Sequence, residues 1–435
     1  SQSNAQGLTH NVYRGIANYF GDDRFETIER GVLDFDIQMW VDRFTTGGTV
    51  TYSPTSSFTN RFTIGYDWIQ QDSRNLRPFG FPSRPRGALL NHHWQNTLLT
   101  FDYVGTLSFD LTESIRSSFS CGGQAVGDEV QQVEAWGEDF PGATEPTVNS
   151  AGFTLGFEER QKVWNAGVFA QNIFDFSDRY FLTLGARIDG NSAFGSGFGL
   201  QVYPKASLSW VVSDEDFWSD GLGSMRLRAA YGQSGRAPGA FDAVRTFDAE
   251  SLNDQPAFVP RNLGNPDLGP DVTTEFEVGF DASWLDGRAQ AVFTYYNSRT
   301  TDALFEVRQA WSEGFGGSQL RNVGELQNSG MELTVSGTPF ESQNWGLDLG
   351  LDLATLQSEV VGLGGAPAFT LGGNGWVVEG EAAPVVRARW VSNPDAIADP
   401  VIEDDHIYGP NAPTLTLTPR LSLRVPGGIT LSALG

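Results

Sequence analysis

The sequence predicts an all-β protein, the wall of an antiparallel transmembrane β-barrel with short turns at one rim and long loops at the other. Three observations carry this reading. Apolar and polar residues alternate with period two over ten or more positions, aromatic residues gather near the ends of those runs, and the connections between runs are either very short or very long. Alternation places one residue set on each face of a strand. Soluble strands average about 5–6 residues, whereas a tilted membrane strand needs about 9–11.

The strands follow in chain order. Leu99, Phe101, Tyr103, Gly105, Leu107, Phe109 and Leu111 interleave with Thr100, Asp102, Val104, Thr106, Ser108 and Asp110. Tyr180, Leu182, Leu184, Ala186 and Ile188 oppose Thr183, Gly185, Arg187 and Asp189, and Met225, Leu227, Ala229 and Tyr231 oppose Arg226, Arg228 and Ala230. Further runs are 276–284, 331–335 and 415–425. The clearest is 346–354, with Leu at every odd position from Leu347 to Leu353 and Asp, Gly or Ala at the even ones. Such faces suit lipid on one side and a polar lumen on the other. Tyr66, Trp68, Tyr203, Trp210, Trp218, Trp284, Tyr295 and Tyr296 read as interfacial girdles. Residues 285–288 and 426–428 read as short turns; roughly 70–95, 126–148, 234–271 and 358–412 read as long polar loops. Short periplasmic turns and long extracellular loops are the outer-membrane pattern. About sixteen or seventeen strands are expected, and no helix with a convincing 3.6-residue stripe stands out.

Composition narrows the function. With 53 acidic against 28 basic residues the net charge is −25, which excludes nucleic acid as a partner, because phosphate binding needs clustered cations. Lys162 and Lys205 are the only lysines, and Cys121 the only cysteine, so no intrachain disulfide or Cys-rich zinc module exists here. No run approaches the roughly 20 apolar residues of a spanning helix. Ser1-Gln2-Ser3-Asn4 lacks the basic-then-apolar form of a signal peptide, and residues 429–435 stop within what reads as a strand. The chain is therefore expected to be a piece of a longer polypeptide.

Little catalytic chemistry is written in the sequence. Gly190, Gly195, Gly324 and Gly330 flank strand turns, and positive φ is the expected reason for them. Gly372-Gly373-Asn374-Gly375 reads as a flexible turn. His92-His93 is the one adjacent histidine pair, with His10 and His406 isolated; neighbours on a strand point opposite ways, which does not make a tetrahedral zinc site. Glu403-Asp404-Asp405 and Asp214-Glu215-Asp216 lack the spacing of a calcium loop. Gly190-Asn191-Ser192 and Gly232-Gln233-Ser234-Gly235 lack the strand-to-helix setting of a hydrolase elbow. No catalytic residue, metal or cofactor is expected. The lumen-facing candidates are Arg187, Asp189, Arg226, Arg228, Asp348 and Asp352, either contacting solute or pairing along a polar wall.

Several segments resemble the SusC/RagA-like branch of the TonB-dependent outer-membrane transporters. One runs from Asp178-Arg179-Tyr180 through Asp189, Gly190, Phe194 and Gly195 to Tyr203-Pro204-Lys205 and Trp210. A second is Met225–Pro238. A third carries Asn265-Pro266, then Glu275 and Gly279. The most specific is Asn322-Val323-Gly324-Glu325, then Asn328, Gly330, Glu332 and the Thr338-Pro339 turn. Together they cover roughly residues 160–435, with preceding strands before them.

The resemblance implies part of a 22-stranded barrel whose plug, TonB-contacting box and last strands lie outside this stretch. It also implies active uptake of a large solute such as a glycan, oligopeptide or metal chelate. The partners it implies are the TonB–ExbB–ExbD machinery acting through the plug, a SusD-like surface lipoprotein over the extracellular loops, and the lipid and lipopolysaccharide of the outer membrane. No covalent chemistry is implied. The alternative from another class is a secreted soluble β-rich binding or adhesion protein with its apolar faces buried in a core.

Overall fold

A computed structural model describes residues 35–435 apart from 82–83, 144, 198, 253–254, 310–311, 313–314, 316, 373–374 and 396–398. Its long strands are β1 (Asp36–Thr55), β2 (Phe58–Arg77), β3 (Ala88–Thr112), β4 (Ile115–Glu138), β5 (Phe153–Phe176), β6 (Tyr180–Asn191), β7 (Gln201–Val211) and β8 (Ser224–Arg236). A loop hairpin, β9 (Thr246–Leu252) and β10 (Gln255–Asn262), precedes β11 (Asp271–Trp284), β12 (Ala289–Arg308), β13 (Ser318–Glu341) and β14 (Gly346–Thr355). Then come β15 (Gln357–Gly362), β16 (Phe369–Gly372), β17 (Gly375–Val377), β18 (Val385–Val391), β19 (Ile402–Pro410), β20 (Leu415–Val425) and β21 (Ile429–Leu434).

The main sheet runs β1 through β8, then β11, β12, β13, β14, β20 and β21, with β15 on β13. Among the described residues β1 and β21 each have one neighbour in this sheet. Every second connection is short: 56–57, 113–114, 177–179, 285–288, 342–345 and 426–428, with 212–223 longer but tightly turned. The alternate ones are the long loops.

The chain divides into two compact units. One comprises the residues through Val50, Phe62–Asp102 and Gln124–Asn165. Its small core joins Leu76, Leu89 and Phe140 to Val148 and Ala151. The other comprises Thr51–Arg61, Tyr103–Gly123 and Ala166–Gly435. Its loop core joins Val360, Leu363 and Val377 to Phe305, Leu326 and Phe369. This second core packs residues of β15, β16 and β17 against β12 and β13.

Pairing in the second unit keeps like with like. Leu182 faces Leu208, Leu227 faces Phe280, Phe280 faces Phe293, Leu333 faces Leu353, and Leu353 faces Leu417. Leu184, Leu208, Phe276, Met331, Val335, Leu349, Leu417 and Leu421 on that face are all exposed. A continuous apolar face this bare has no core to cover it, which is the condition of a strand facing lipid. At its short-turn rim Tyr180 stacks on Trp210 at 5.8 Å.

Several expectations are corrected here. The strands are more numerous, 21 among the described residues, because the supposed loops are themselves largely β. Residues 70–95 and 126–148 are mostly the outer ends of β2, β3 and β4. Strands β3, β4, β5 and β13 reach 24 or 25 residues, or roughly 80 Å at about 3.4 Å per residue, against a hydrocarbon core of about 30 Å. Beyond lipid both faces are wet, the alternation fades, and sequence reads loop. Residues 234–271 hold the β9–β10 hairpin, and 358–412 hold β15 and the four-stranded sheet β16–β19. Tyr203 and Tyr296 belong to the polar face, opposite Arg187 and Glu277, not to a girdle. Gly190, Gly195, Gly324 and Gly330 do not have positive φ; the last three are required by close approach. A Cβ would lie 2.2 Å from the Pro266 carbonyl oxygen at Gly195, 2.1 Å from the Phe305 ring at Gly324 and 2.1 Å from the Thr355 carbonyl oxygen at Gly330. His10, Gly373 and Asn374 lie outside the described residues.

Candidate functional site

The polar face of the second unit carries all six lumen candidates, in separate groups. Arg187 Nε bonds both Asp189 carboxylate oxygens, at 2.7 and 2.9 Å. Arg226 Nη2 reaches Asp281 Oδ2 at 2.6 Å, and Arg228 Nε lies 3.5 Å from its Oδ1. Asp352 receives Arg420 at 3.1 Å and the Thr334 hydroxyl at 2.9 Å. Asp348 receives the Thr338 hydroxyl at 2.7 Å. Pairing along the wall is thus the observed state. Asp281, absent from the sequence-derived set, holds two arginines, and its acid-to-alanine change leaves both uncompensated. Asp281→Ala is expected to lower stability by about 1–2 kcal/mol, below the range of a fully buried pair because these groups are half-wet. A melting shift no larger than that of Asp286→Ala, in an exposed turn, would contradict it.

A second pattern ties the cations to glycine. Arg228 is registered opposite Gly279, and Gly279 opposite Thr294. The guanidinium crosses that glycine to donate to Thr294 Oγ1 at 2.7 Å. Arg424 is opposite Gly346, itself opposite Glu341, and Arg424 reaches Glu341 at 3.7 Å. Arg420 is opposite Gly350 and Lys205 opposite Gly185. A Cβ at Gly346, Gly350 or Gly185 would meet the long side chain at 3.1–3.2 Å. A glycine opposite a cation lets the stem lie flat across one strand toward the next, part of why glycine is so abundant.

One cavity of about 630 Å³ opens on this face. Arg61, Arg187, Asp189, Lys205, Gln233 and Ser234 give it its polar lining, with Phe169 and buried Tyr203. Its room comes from glycines that sequence reasoning passed over. A Cβ at Gly167 would collide with Asp189 and Arg187, and one at Gly235 would sit 2.0 Å from the Tyr203 hydroxyl.

The segments that resembled a family meet in space. Gly195 N–H donates to Leu268 O at 2.9 Å and Gly197 N–H to Pro266 O at 3.1 Å. Asn265 Nδ2 donates to Leu320 O at 3.2 Å. Asn322 accepts from Gly269 N–H at 2.9 Å and donates to the carbonyls of Gly269, at 3.0 Å, and Asp302, at 2.9 Å. Leu268 is fully buried beneath this clasp. Ala193 beside Phe194 is buried as well. Glu275, Asn328 and Glu332 lie on the polar face, opposite Ser298, Ser298 and Thr294, and Pro204 on the apolar face opposite Ala186.

The acidic runs are engaged rather than arranged for metal. Glu215, in the 212–223 turn, accepts from the Tyr180 hydroxyl at 2.6 Å and Trp210 Nε1 at 3.0 Å. These bonds, the Tyr180 one foremost, with Arg179 nearby, hold its carboxyl below the ordinary 4.5. A depressed folded value means stability present at neutral pH and lost as pH falls below about 4.5. Glu215→Gln is therefore expected to flatten the acid limb of the stability profile, read as melting temperature between pH 3 and 6 (about the carboxylate range). An unchanged limb would contradict it. Asp404 and Asp405 pair with Arg389 and Arg387, and Glu403 with His406. His93 bonds Asp72 at 2.6 Å, while His92 lies 3.8 Å from Glu134. No group of three or more metal-ligating side chains occurs among the described residues.

A long-stranded antiparallel wall with a bare apolar face, a largely self-paired polar face and alternating short and long connections defines a membrane-spanning barrel wall. The family model for "TonB dependent receptor-like, beta-barrel" matches residues 1–428. The chain belongs to the TonB-dependent receptor family, whose barrels reside in the outer membrane and which comprises receptors and transporters rather than enzymes. TonB-dependent receptor P26 of Formosa agariphila is 28% identical over 364 residues, 77% of this chain and 36% of that protein. TonB-dependent receptor SusC of Bacteroides thetaiotaomicron is 25% identical over 209 residues, 45% of this chain and 21% of that one. The solved RagAB peptide transporter superposes with a TM-score of 0.81 at 17% identity, over 92% of this chain and 48% of that one. The chain thus spans about a third of the first relative and half of the solved structure. The SusC/RagA-like resemblance stands, and membership overturns the alternative of a secreted soluble protein.

Proposed function

We propose that this chain supplies wall and extracellular loops to a transporter that takes up a large solute across the outer membrane at the expense of TonB-transmitted energy. The observation that supports it most is the pairing of a lipid-type apolar face with a polar face most of whose arginines are paired with carboxylates of the same wall, the lining of a water-filled passage rather than a site of bond-making. Solutes of the proposed class are glycans, oligopeptides and metal chelates, all too large for free diffusion. The working partners are TonB–ExbB–ExbD, through a plug, and a SusD-like lipoprotein seated over the loops that carry β9–β10 and β15–β19. Outer-membrane lipid and lipopolysaccharide contact the apolar face.

The test uses the full-length protein in its own cells. Uptake of labelled oligosaccharides, oligopeptides and ferric chelates is compared among wild type, a deletion of this protein and a TonB deletion. Accumulation of one class is expected, falling to background in both deletions. Uptake indifferent to TonB would contradict the reading.

A further inference from the structure

Of the four cations that lie across an opposing glycine or are registered to cross one, three end near a carboxylate. Arg228 lies by Asp281, Arg424 by Glu341 and Arg420 by Asp352. Lys205 differs. Its stem crosses Gly185, with a would-be Cβ there 3.1 Å from Cε and 2.9 Å from Gln171 Cβ on β5, so it follows the same path. No carboxylate lies within ion-pair reach of its amine among the described residues. The same holds for Arg61 across the same cavity. The charged lining is three cations, Arg61, Arg187 and Lys205, against Asp189 alone, a surplus of positive charge in a chain of net −25. Asp189 is already engaged by Arg187.

A cavity walled by low-dielectric strands concentrates such a field. An ammonium is a strongly hydrated point charge whose natural complement is a compact anion, and a guanidinium forks onto a carboxylate. Ser234 and Gln233 add hydrogen-bonding groups around the rim, and Phe169 with Tyr203 gives an apolar floor. We propose that this cavity is a carboxylate-binding subsite in the transporter wall, with Lys205 and Arg61 as the cations that receive the carboxylate and Gly185 as the residue that lets Lys205 reach it. The inference rests on the polar face being the lumen. The carboxylate comes either from an acidic solute or from an acidic side chain of the same polypeptide, such as its plug.

Lys205 makes the test direct, because Lys162 is the only other lysine in the chain. Carbodiimide activates a carboxylate and the amine displaces the activating group as a urea; within the protein an amide forms only where amine and acid touch, whereas coupling of a soluble acid reports binding through its dependence on Arg61. Lys162 Nζ lies 3.1 Å from Glu129 Oε2, so their link reports a folded protein in the same sample. The full-length protein in outer membranes is treated with carbodiimide alone, then with N-acetyl-triglutamate amide or N-acetyl-triglutamine amide, and digests are mapped by mass spectrometry.

If a solute supplies the carboxylate, Lys205 carries the triglutamate adduct, and Arg61→Gln lowers its yield at least fivefold. If the polypeptide supplies it, carbodiimide alone links Lys205 to an aspartate or glutamate other than Asp189. The idea is overturned if Lys205 stays free, links only to Asp189, or takes triglutamate regardless of Arg61 while Lys162 links to Glu129. Linking requires no TonB, so loss of uptake and absence of the subsite are read separately.

Discussion

Gly279→Val is expected to destabilise the full-length barrel by about 2–3 kcal/mol, the size of a severe overpacking defect. A Cβ at Gly279 would lie 2.2 Å from the Phe293 carbonyl oxygen and 3.3 Å from Thr294 Cα. Both are backbone of β12, which moves only by breaking its pairing with β11. The added methyls would also occupy the path by which Arg228 reaches Thr294 Oγ1. The checking measurement is the temperature at which the folded band converts on a semi-native gel. Because the collision is with backbone, Gly279→Val in an Arg228→Ala background should remain destabilised. Full rescue by Arg228→Ala would show that only the side chain was obstructed.

The second large effect falls on the clasp. Asn322→Ala removes one acceptor from Gly269 N–H and two donors, to the carbonyls of Gly269 and Asp302. Asp302 has φ 55, a left-handed conformation beside a bulge in β12, and that geometry aims its carbonyl at Asn322. Leaving the two part-buried Gly269 groups without partners, with the exposed Asp302 carbonyl turned to water, costs about 2 kcal/mol. The near-isosteric Asn322→Asp keeps the acceptor but sets a carboxylate against two carbonyl oxygens. It is therefore expected to be at least as damaging as alanine. Proteolysis of loop 237–270 in intact cells should accelerate in both variants. An Asn322→Asp protein with wild-type melting and proteolysis would reduce the clasp to shape alone.

Much of the fold was legible because lipid on one side and water on the other impose strict alternation. The Leu347–Leu353 run and the paired rows Leu182–Leu208 and Leu227–Phe280 follow from that single constraint. Outside the bilayer the constraint lapses, so the strand ends around Gln70–Arg77 and Gln131–Glu138 read as loop although backbone pairing continues through them. The polar wall was half legible. Arg226, Arg228, Asp348 and Asp352 could be assigned a face, but their partners Asp281, Thr338 and Arg420 follow only from register. The glycines were misread in cause, since Gly324 and Gly330 answer to neighbouring strands, and no single strand's sequence shows its neighbour. The cavity around Lys205 was missed for the same reason: Gly167, Gly185 and Gly235 stand on three strands. One signal was available, one of only two lysines in a chain that otherwise uses arginine.

The central claim is that alternate residues of these strands face lipid and lumen. The direct measurement is nitroxide scanning of residues 347–353 in the full-length protein, with Cys121 replaced by serine and the protein in outer-membrane vesicles. The account predicts that Leu347, Leu349, Leu351 and Leu353 are accessible to dissolved oxygen and shielded from a water-soluble nickel chelate. Asp348, Gly350 and Asp352 should show the weaker oxygen access of a polar interior. An alternation of period two in oxygen access, in that phase, is the expected result. Chelate access at the leucine positions, or oxygen access without period two, would contradict the account.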